Sequence, residues 1–485
     1  MADNQSDNNS APQSGFDRFK ADFIRRCKDN TKKRWIRFSI VSVIFFLWVI
    51  WLGNPWVGLL WLLLFDIYIT GYIPFTWWKR SKSKATRTVM GWVDAIVYAL
   101  ILVYFIFAFL GQNYQIPSSS LEKTLLTGDY LLVNKAVYGP RVPQTPIHFP
   151  LAQHTLPLLG CKSYVDAVQF DYHRLPGLRG VERGDIVVFN APCTDTVALG
   201  VPSEMDWYHL VYQLEQERKI PDARRFIMDN EATFGKVVVR PVDRRENFVK
   251  RAIGLPGERL KIVDDLVYID GKPLAEPKFV QHNYIVPVSG EIMPDQWEEI
   301  GVAIKDAGLP RTEGDITFYD VPLTSEALAA IKNFPQVDGE IQRRSAVTAP
   351  YTYGIFPLWG NPGWSLQNMG ELWIPRQGST LRLTLNNLPV YRRAIEAYEG
   401  NKVDVKDGKI YINGEQRDYY TFKLDYYWMM GDNRDNSADS RFWGFVPEDH
   451  IIGTPVTVLV SFDGEKGFPS NIRWNRVLKT PNPDK

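Results

Sequence analysis

Three stretches of the chain hold residue types that can do covalent chemistry. The first is Pro117-Ser118-Ser119-Ser120-Leu121, running on through Thr124-Leu125-Leu126-Thr127-Gly128-Asp129. The second is Asn247-Phe248-Val249-Lys250-Arg251-Ala252-Ile253-Gly254, closed by Leu255-Pro256-Gly257. The third is Gly431-Asp432-Asn433-Arg434-Asp435-Asn436-Ser437-Ala438-Asp439-Ser440-Arg441, a polar loop between aromatic runs. A serine hydroxyl is a poor nucleophile until a base takes its proton. Six histidines are present (His148, His154, His173, His209, His282, His450), none of them in a triad-like motif, and a histidine-based triad stays open on sequence alone. A lysine serves as base only when neutral. Its reference pKa is about 10.4, and burial lowers it by several units. Strand alternation places Lys250 on the face of Phe248 and Ala252, an apolar face that points it inward. Lowering it by about three pKa units takes roughly 4 kcal/mol, which an apolar wall and a hydroxyl such as Ser437 can supply.

Each stretch alone has a plainer reading. Loop serines mostly cap or turn, and a strand lysine mostly snorkels to the surface. An Asp- and Asn-rich loop suggests turns or a cation, yet counting from Asp432 there is no Gly at the sixth position and no Glu at the twelfth, as an EF-hand requires. The three stretches gain weight only if one fold gathers them.

The elements that must do so begin with a polar, basic-ended tail over 1–34. Apolar runs follow at about 38–53, 56–75 and 89–110, the first two separated by Asn54-Pro55 and the last two by a basic loop at 79–87. Each run is roughly the length a membrane span needs, and Trp51, Trp56, Trp77 and Trp78 sit at run ends as interfacial aromatics do. Region 35–111 is therefore expected to be a membrane region of three helices, or of one span after a hairpin over 38–75. Both basic clusters belong on the cytoplasmic side, so residues 112–485 are expected outside. Asp66 and Asp94 lie within the runs, and the preferred reading for both is structural or interfacial. With 485 residues and a net charge of +1, the chain offers nothing to favour nucleic acid as a partner.

Beyond Gly111, short β-rich segments alternate with turns at 130–134, 185–189, 236–239, 266–269, 381–385, 409–412 and 454–460. Asp270-Gly271 and Asn413-Gly414 are hairpin turn pairs. Helical patterns at 203–219, 325–333 and 389–399 read as insertions on a β core. Cys27, Cys161 and Cys193 form no C-x-x-C pair, and Cys161 and Cys193 are open to either a disulfide or two unpaired thiols.

Taken in order, four blocks resemble the type I signal peptidases, or leader peptidases: 117–129, then Arg183-Gly184-Asp185-Ile186-Val187-Val188-Phe189, then 250–257, then 431–447, the last nearly residue for residue. The resemblance implies a mostly β catalytic domain of antiparallel sheets on a membrane anchor. It implies removal of signal peptides from exported preproteins after small residues, through an acyl-enzyme. Carried over by position, Ser120 is the nucleophile and Lys250 the general base. Ser118 joins the Ser120 N–H as oxyanion hole, Ser437 hydrogen-bonds Lys250, Asp439 pairs with Arg441, and Asp432 orders the loop. No metal or organic cofactor is implied, and the partners are preproteins and the lipid bilayer. The chain departs from the pattern at Leu121, where Met is usual, and at Glu122-Lys123, where a Pro precedes the Thr. Segments 139–182, 190–236 and 277–376 look like insertions of unassigned role. The rival readings are an inactive membrane-anchored scaffold and a self-cleaving Ser-Lys peptidase.

Overall fold

The computed structural model describes residues 15–157, 159–464 and 466–481. The chain divides into two compact units between Val103 and Tyr104.

In the first unit a short amphipathic helix, Gly15–Lys28, precedes the apolar helix Lys32–Leu52. That helix stops where Gly53 adopts φ 73° and its N–H reaches back to Val49 and Ile50, a glycine C-cap. The Asn54 side chain then accepts from Trp56 N–H and starts the next helical segment. Its aromatic face packs back on its predecessor: Phe38 meets Phe65 and Trp61, and Trp61 donates to Ser42 Oγ at 2.9 Å.

The second apolar run differs from the expected span. Helix covers only Pro55–Thr70, about 24 Å at the helical rise, against a hydrocarbon core of about 30 Å. It ends in a π turn, Asp66–Thr70, closed by the Asp66 carboxylate. Thr70 Oγ1 (2.6 Å) and the N–H groups of Tyr72 (2.7 Å) and Ile73 (3.0 Å) all donate to it. The Pro55 start, the left-handed Gly71 and this side-chain staple shorten the segment. Asp66 thus caps a turn, and Asp94 is exposed on its helix. Among the described residues two helices, Lys32–Leu52 and Lys84–Leu110, are long and apolar enough to cross a bilayer.

The second unit is mostly antiparallel β. Its centre is a seven-stranded sheet of β1 (Gly111–Gln115), β2 (Asp129–Asn134), β3 (Ile186–Asn190), β4 (Asn247–Gly254), β5 (Tyr426–Met430), β6 (Val446–Pro447) and β7 (Ile451–Ser461). The order across it is β1-β2-β7-β3-β4-β5-β6. Strands β3 and β5 are buried throughout, which explains why they read as continuous apolar or aromatic runs rather than alternating ones.

A second core covers the other side of β4. Strands Arg259–Val263, Leu266–Ile269 and Met369–Trp373 join helix Leu388–Arg393 around Trp428, Tyr426 and Phe422. The two expected hairpin turns both form here. Leu266–Ile269 and Lys409–Ile412 turn at Asp270-Gly271 (φ 49°, 76°) and Asn413-Gly414 (φ 54°, 86°). Positive φ at both central residues is what a type I′ turn demands.

The remaining chain builds side structures. Helices Trp207–Gln216 and Ala223–Asp229 bury their own cluster, and strands Gln281–Pro287 and Ile316–Thr324 form a small sheet with a separate core. Cys161 is exposed and Cys193 buried, and no disulfide joins them.

Candidate active site

Three elements converge on one buried point. The loop between β1 and β2 carries Ser120, pinned by Leu121 and Leu125, which are fully buried among Ile116, Leu131, Val133, Ile186 and Val188. Leu thus fills the position where Met is usual. Strand β4 carries Lys250, opposite Val187 of β3. The loop after β5 carries residues 431–441.

Lys250 Nζ lies 2.6 Å from Ser120 Oγ. Both side chains are buried, Lys250 to 5% exposure and Ser120 to 8%, and the Phe248 ring lies 5.8 Å from Nζ on the face that alternation indicated. Burial pushes the Lys250 pKa down to about 8, although the Asp439 and Asp432 charges pull the other way. The difference from 10.5 corresponds to about 3 kcal/mol favouring the neutral amine. A neutral amine within hydrogen-bond reach of a hydroxyl can take its proton.

The histidine alternative finds no support in the geometry. His209 pairs with Asp206 (2.7 Å) and His450 with Asp449 (2.6 Å), and the side chain bonded to the Ser120 hydroxyl is Lys250. Lys135 also has a pKa lowered by burial, to about 7, but its Nζ faces Phe107 O and Gln112 Oε1 rather than a serine. Geometry, not pKa, separates the two lysines. Lys123 adopts φ 72°, which no proline can, so the turn after Ser120 differs locally from one built on Pro.

The loop 431–441 is held by two buried ion pairs. Asp439 accepts from Arg441 Nε and Nη2 (2.9 and 2.8 Å) and from Gly431 N–H (3.1 Å). Burial alone would raise the Asp439 carboxyl, but the Arg441 charge and these donors offset it and hold its pKa below the usual range. Arg441 also donates to Arg434 O at 2.6 Å, closing the loop on itself. Asp432 takes a bidentate bond from Arg251 (2.8 and 2.7 Å) and one from Thr124 Oγ1 (2.6 Å), tying together all three elements. Arg251 and Thr124 were not singled out in the sequence. A charged residue adjoining Lys250 in a strand buried on both faces was the available signal, because such a charge needs a partner.

One expected contact is absent. Among the described residues Ser437 Oγ is buried without a hydrogen-bond partner, so it does not hold Lys250. Ser437 and the Ser120 carbonyl instead crowd Gly431, where an added Cβ would lie 2.2 Å from Ser437 Oγ and 2.5 Å from Ser120 O. Ser118 is exposed. The Ser120 carbonyl accepts from Asn433 N–H at 3.1 Å, while among the described residues no acceptor takes the Ser120 N–H.

Comparison with known proteins bears on the same residues. The family model for signal peptidase, peptidase S26, matches residues 89–306 and 417–460, a span that includes Ser120, Lys250 and the loop 431–441. The chain belongs to this family. It is a serine peptidase, a hydrolase. A relative from Buchnera aphidicola subsp. Acyrthosiphon pisum, described as "Signal peptidase I", is 56% identical over 400 residues, covering 82% of this chain and 84% of the relative. Another of the same description, from Haemophilus influenzae, is 23% identical over 401 residues, 82% of this chain and 78% of that protein. A third, from Buchnera aphidicola subsp. Baizongia pistaciae, is 22% identical over 415 residues, 84% and 88% of the two chains. Among the described residues, no group of His, Cys, Asp and Glu side chains is placed to hold a metal ion.

Proposed function

We propose that this peptidase removes signal peptides from exported preproteins by a Ser120–Lys250 dyad, while anchored in the cytoplasmic membrane. The observation that carries the reading is the 2.6 Å contact between the Ser120 hydroxyl and a lysine whose pKa burial lowers.

Neutral Lys250 takes the Ser120 proton as Oγ attacks the carbonyl of the scissile bond. The oxyanion that forms is met by the unengaged Ser120 N–H and, after a side-chain turn, by the Ser118 hydroxyl; one such donor is worth about 3–4 kcal/mol in the barrier. Lys250, now an ammonium facing Asp439 and Asp432, returns the proton to the leaving amine. Water then attacks the acyl-enzyme, with Lys250 again as base. Asp439–Arg441 and Asp432–Arg251 serve to keep the loop 431–441 from shifting against Ser120, and Ser437 is a neighbour of Ser120 in this arrangement.

The anchoring reading rests on Lys32–Leu52 and Lys84–Leu110. With the basic residues at 79–87 in the cytoplasm, the second of these helices carries the β unit outward, where exported preproteins emerge. Shallow pockets around Ser120 would confine the preprotein to small residues before the cleavage point.

The test is cleavage of a preprotein by Ser120→Ala and Lys250→Ala proteins in detergent. Both lose cleavage and both stay in the membrane fraction. Cleavage surviving in Lys250→Ala would contradict the dyad.

A further inference from the structure

A cavity of about 460 Å³ in the β unit lies away from the dyad, walled on one side by Phe107 and Ala108, the last turn of the apolar helix Lys84–Leu110. Three cations line it, Lys135, Arg141 and Arg244, against one carboxylate, Asp243. That carboxylate is engaged elsewhere: Thr145 donates to it through its N–H (2.9 Å) and its hydroxyl (2.8 Å). Among the described residues Lys135 makes no ion pair, and its Nζ bonds only to the Phe107 carbonyl and to Gln112 Oε1. Among the described residues Arg244, 6% exposed, keeps its buried Nε without a hydrogen-bond partner, and its nearest carboxylate oxygen, on Asp243, is 3.7 Å away. A buried guanidinium N–H left unpaired is costly, and a cavity whose basic side chains outnumber its one carboxylate favours an anion.

We propose that this cavity binds the phosphate of an anionic phospholipid headgroup, with Lys135 and Arg244 as its principal donors. The phosphate would supply the acceptor that Arg244 Nε lacks and the negative charge that Lys135 lacks. Burial holds Lys135 down to about 7 in the empty cavity, and a bound anion restores its proton. A lipid rather than a soluble phosphate is favoured by position. The wall is the end of a helix long enough to span a bilayer, and Leu110, Ile147 and Leu151 beside it are exposed apolar side chains that acyl chains would cover. The site would hold the β unit against the membrane at a fixed depth. This inference rests on the membrane-anchored reading above.

The test is native mass spectrometry of the full chain in non-ionic detergent with phosphatidylglycerol, phosphatidylcholine or inorganic phosphate. The wild type retains phosphatidylglycerol in preference to phosphatidylcholine, and inorganic phosphate does not displace it. Lys135→Gln and Arg244→Gln each weaken retention by about tenfold or more, as expected for losing one charge-assisted donor, and Lys135→Arg restores it. Equal retention of phosphatidylglycerol by Lys135→Gln and wild type would overturn the proposal, as would displacement by inorganic phosphate at equal concentration. Carbonate washing of membranes separates the two readings. A wild-type chain that washes off overturns the anchoring, whereas one that stays embedded without preferring the anionic lipid overturns only the cavity assignment.

Discussion

Gly431→Ala should slow catalysis about a hundredfold while leaving the protein folded. At this position a Cβ would lie 2.5 Å from the Ser120 carbonyl oxygen and 2.2 Å from Ser437 Oγ, against an ordinary contact of about 3.5 Å. Ser437 Oγ can rotate away, but the Ser437 Cβ, 2.7 Å from the added carbon, cannot. The Ser120 carbonyl belongs to the backbone and is already held by Asn433 N–H at 3.1 Å, so relief requires Ser120 to move by about 1 Å. Its Oγ sits 2.6 Å from Lys250 Nζ, and a displacement of that size ends the hydrogen bond. Misplacing reacting groups by about 1 Å costs on the order of a hundredfold in rate, and overpacking a buried site costs roughly 1–3 kcal/mol of stability. The assay is kcat and KM for preprotein cleavage in detergent, with thermal unfolding measured alongside. The expected result is a fall in kcat with KM little changed. Adding Ser437→Gly to Gly431→Ala should recover little, because the carbonyl contact remains. Gly464→Ala, whose Cβ would meet nothing within 4 Å, serves as control. A Gly431→Ala enzyme within about threefold of wild-type kcat would refute the reasoning from close approach.

Two further outcomes follow from the buried ion pairs. Asp432→Asn removes the bidentate carboxylate partner of Arg251, 1% exposed, and should lower stability by about 3–5 kcal/mol in denaturant unfolding, with Arg251→Met/Asp432→Leu recovering most of it. Asp439→Asn should move the acid limb of the activity profile to lower pH. The Asp439 charge raises the Lys250 pKa and the Arg441 charge lowers it, so removing the carboxylate takes away a stabiliser of the ammonium and bares a repelling cation. An alkaline displacement of that limb would contradict the assignment.

Much of the architecture was legible because it follows local rules. The strands Leu266–Ile269 and Lys409–Ile412 stand where their alternation and their Asp-Gly and Asn-Gly turns put them. Lys250 faces Phe248 and Ala252 across one strand face, as a period of two requires. The four blocks carried the family. Less legible was what depends on partners distant in the chain. Arg251 pairs with Asp432, 181 residues on, and Thr124 bonds the same carboxylate. The run 56–75 has the composition of a span, but its helix stops at Thr70 because Asp66 folds back on the N–H groups beyond it, a tertiary detail that hydropathy does not contain. The hydrogen bond expected between Ser437 and Lys250 is not made, since side-chain torsions are set by packing around Gly431 rather than by sequence position.

The central claim is that Lys250 acts as a neutral base on Ser120, and the pH dependence of kcat/KM tests it most directly, because it reports the ionisation of the free enzyme's essential groups. A base must be unprotonated, so activity rises with pH through the Lys250 pKa, which burial sets at about 8. About a tenth of the enzyme then carries neutral lysine at pH 7 and about nine-tenths at pH 9, from the ratio of the two forms. The account predicts a single rise centred near pH 8 in the wild type. A profile flat from about pH 7 to 9, or a rise centred near 6.5 as an unperturbed histidine would give, would contradict it.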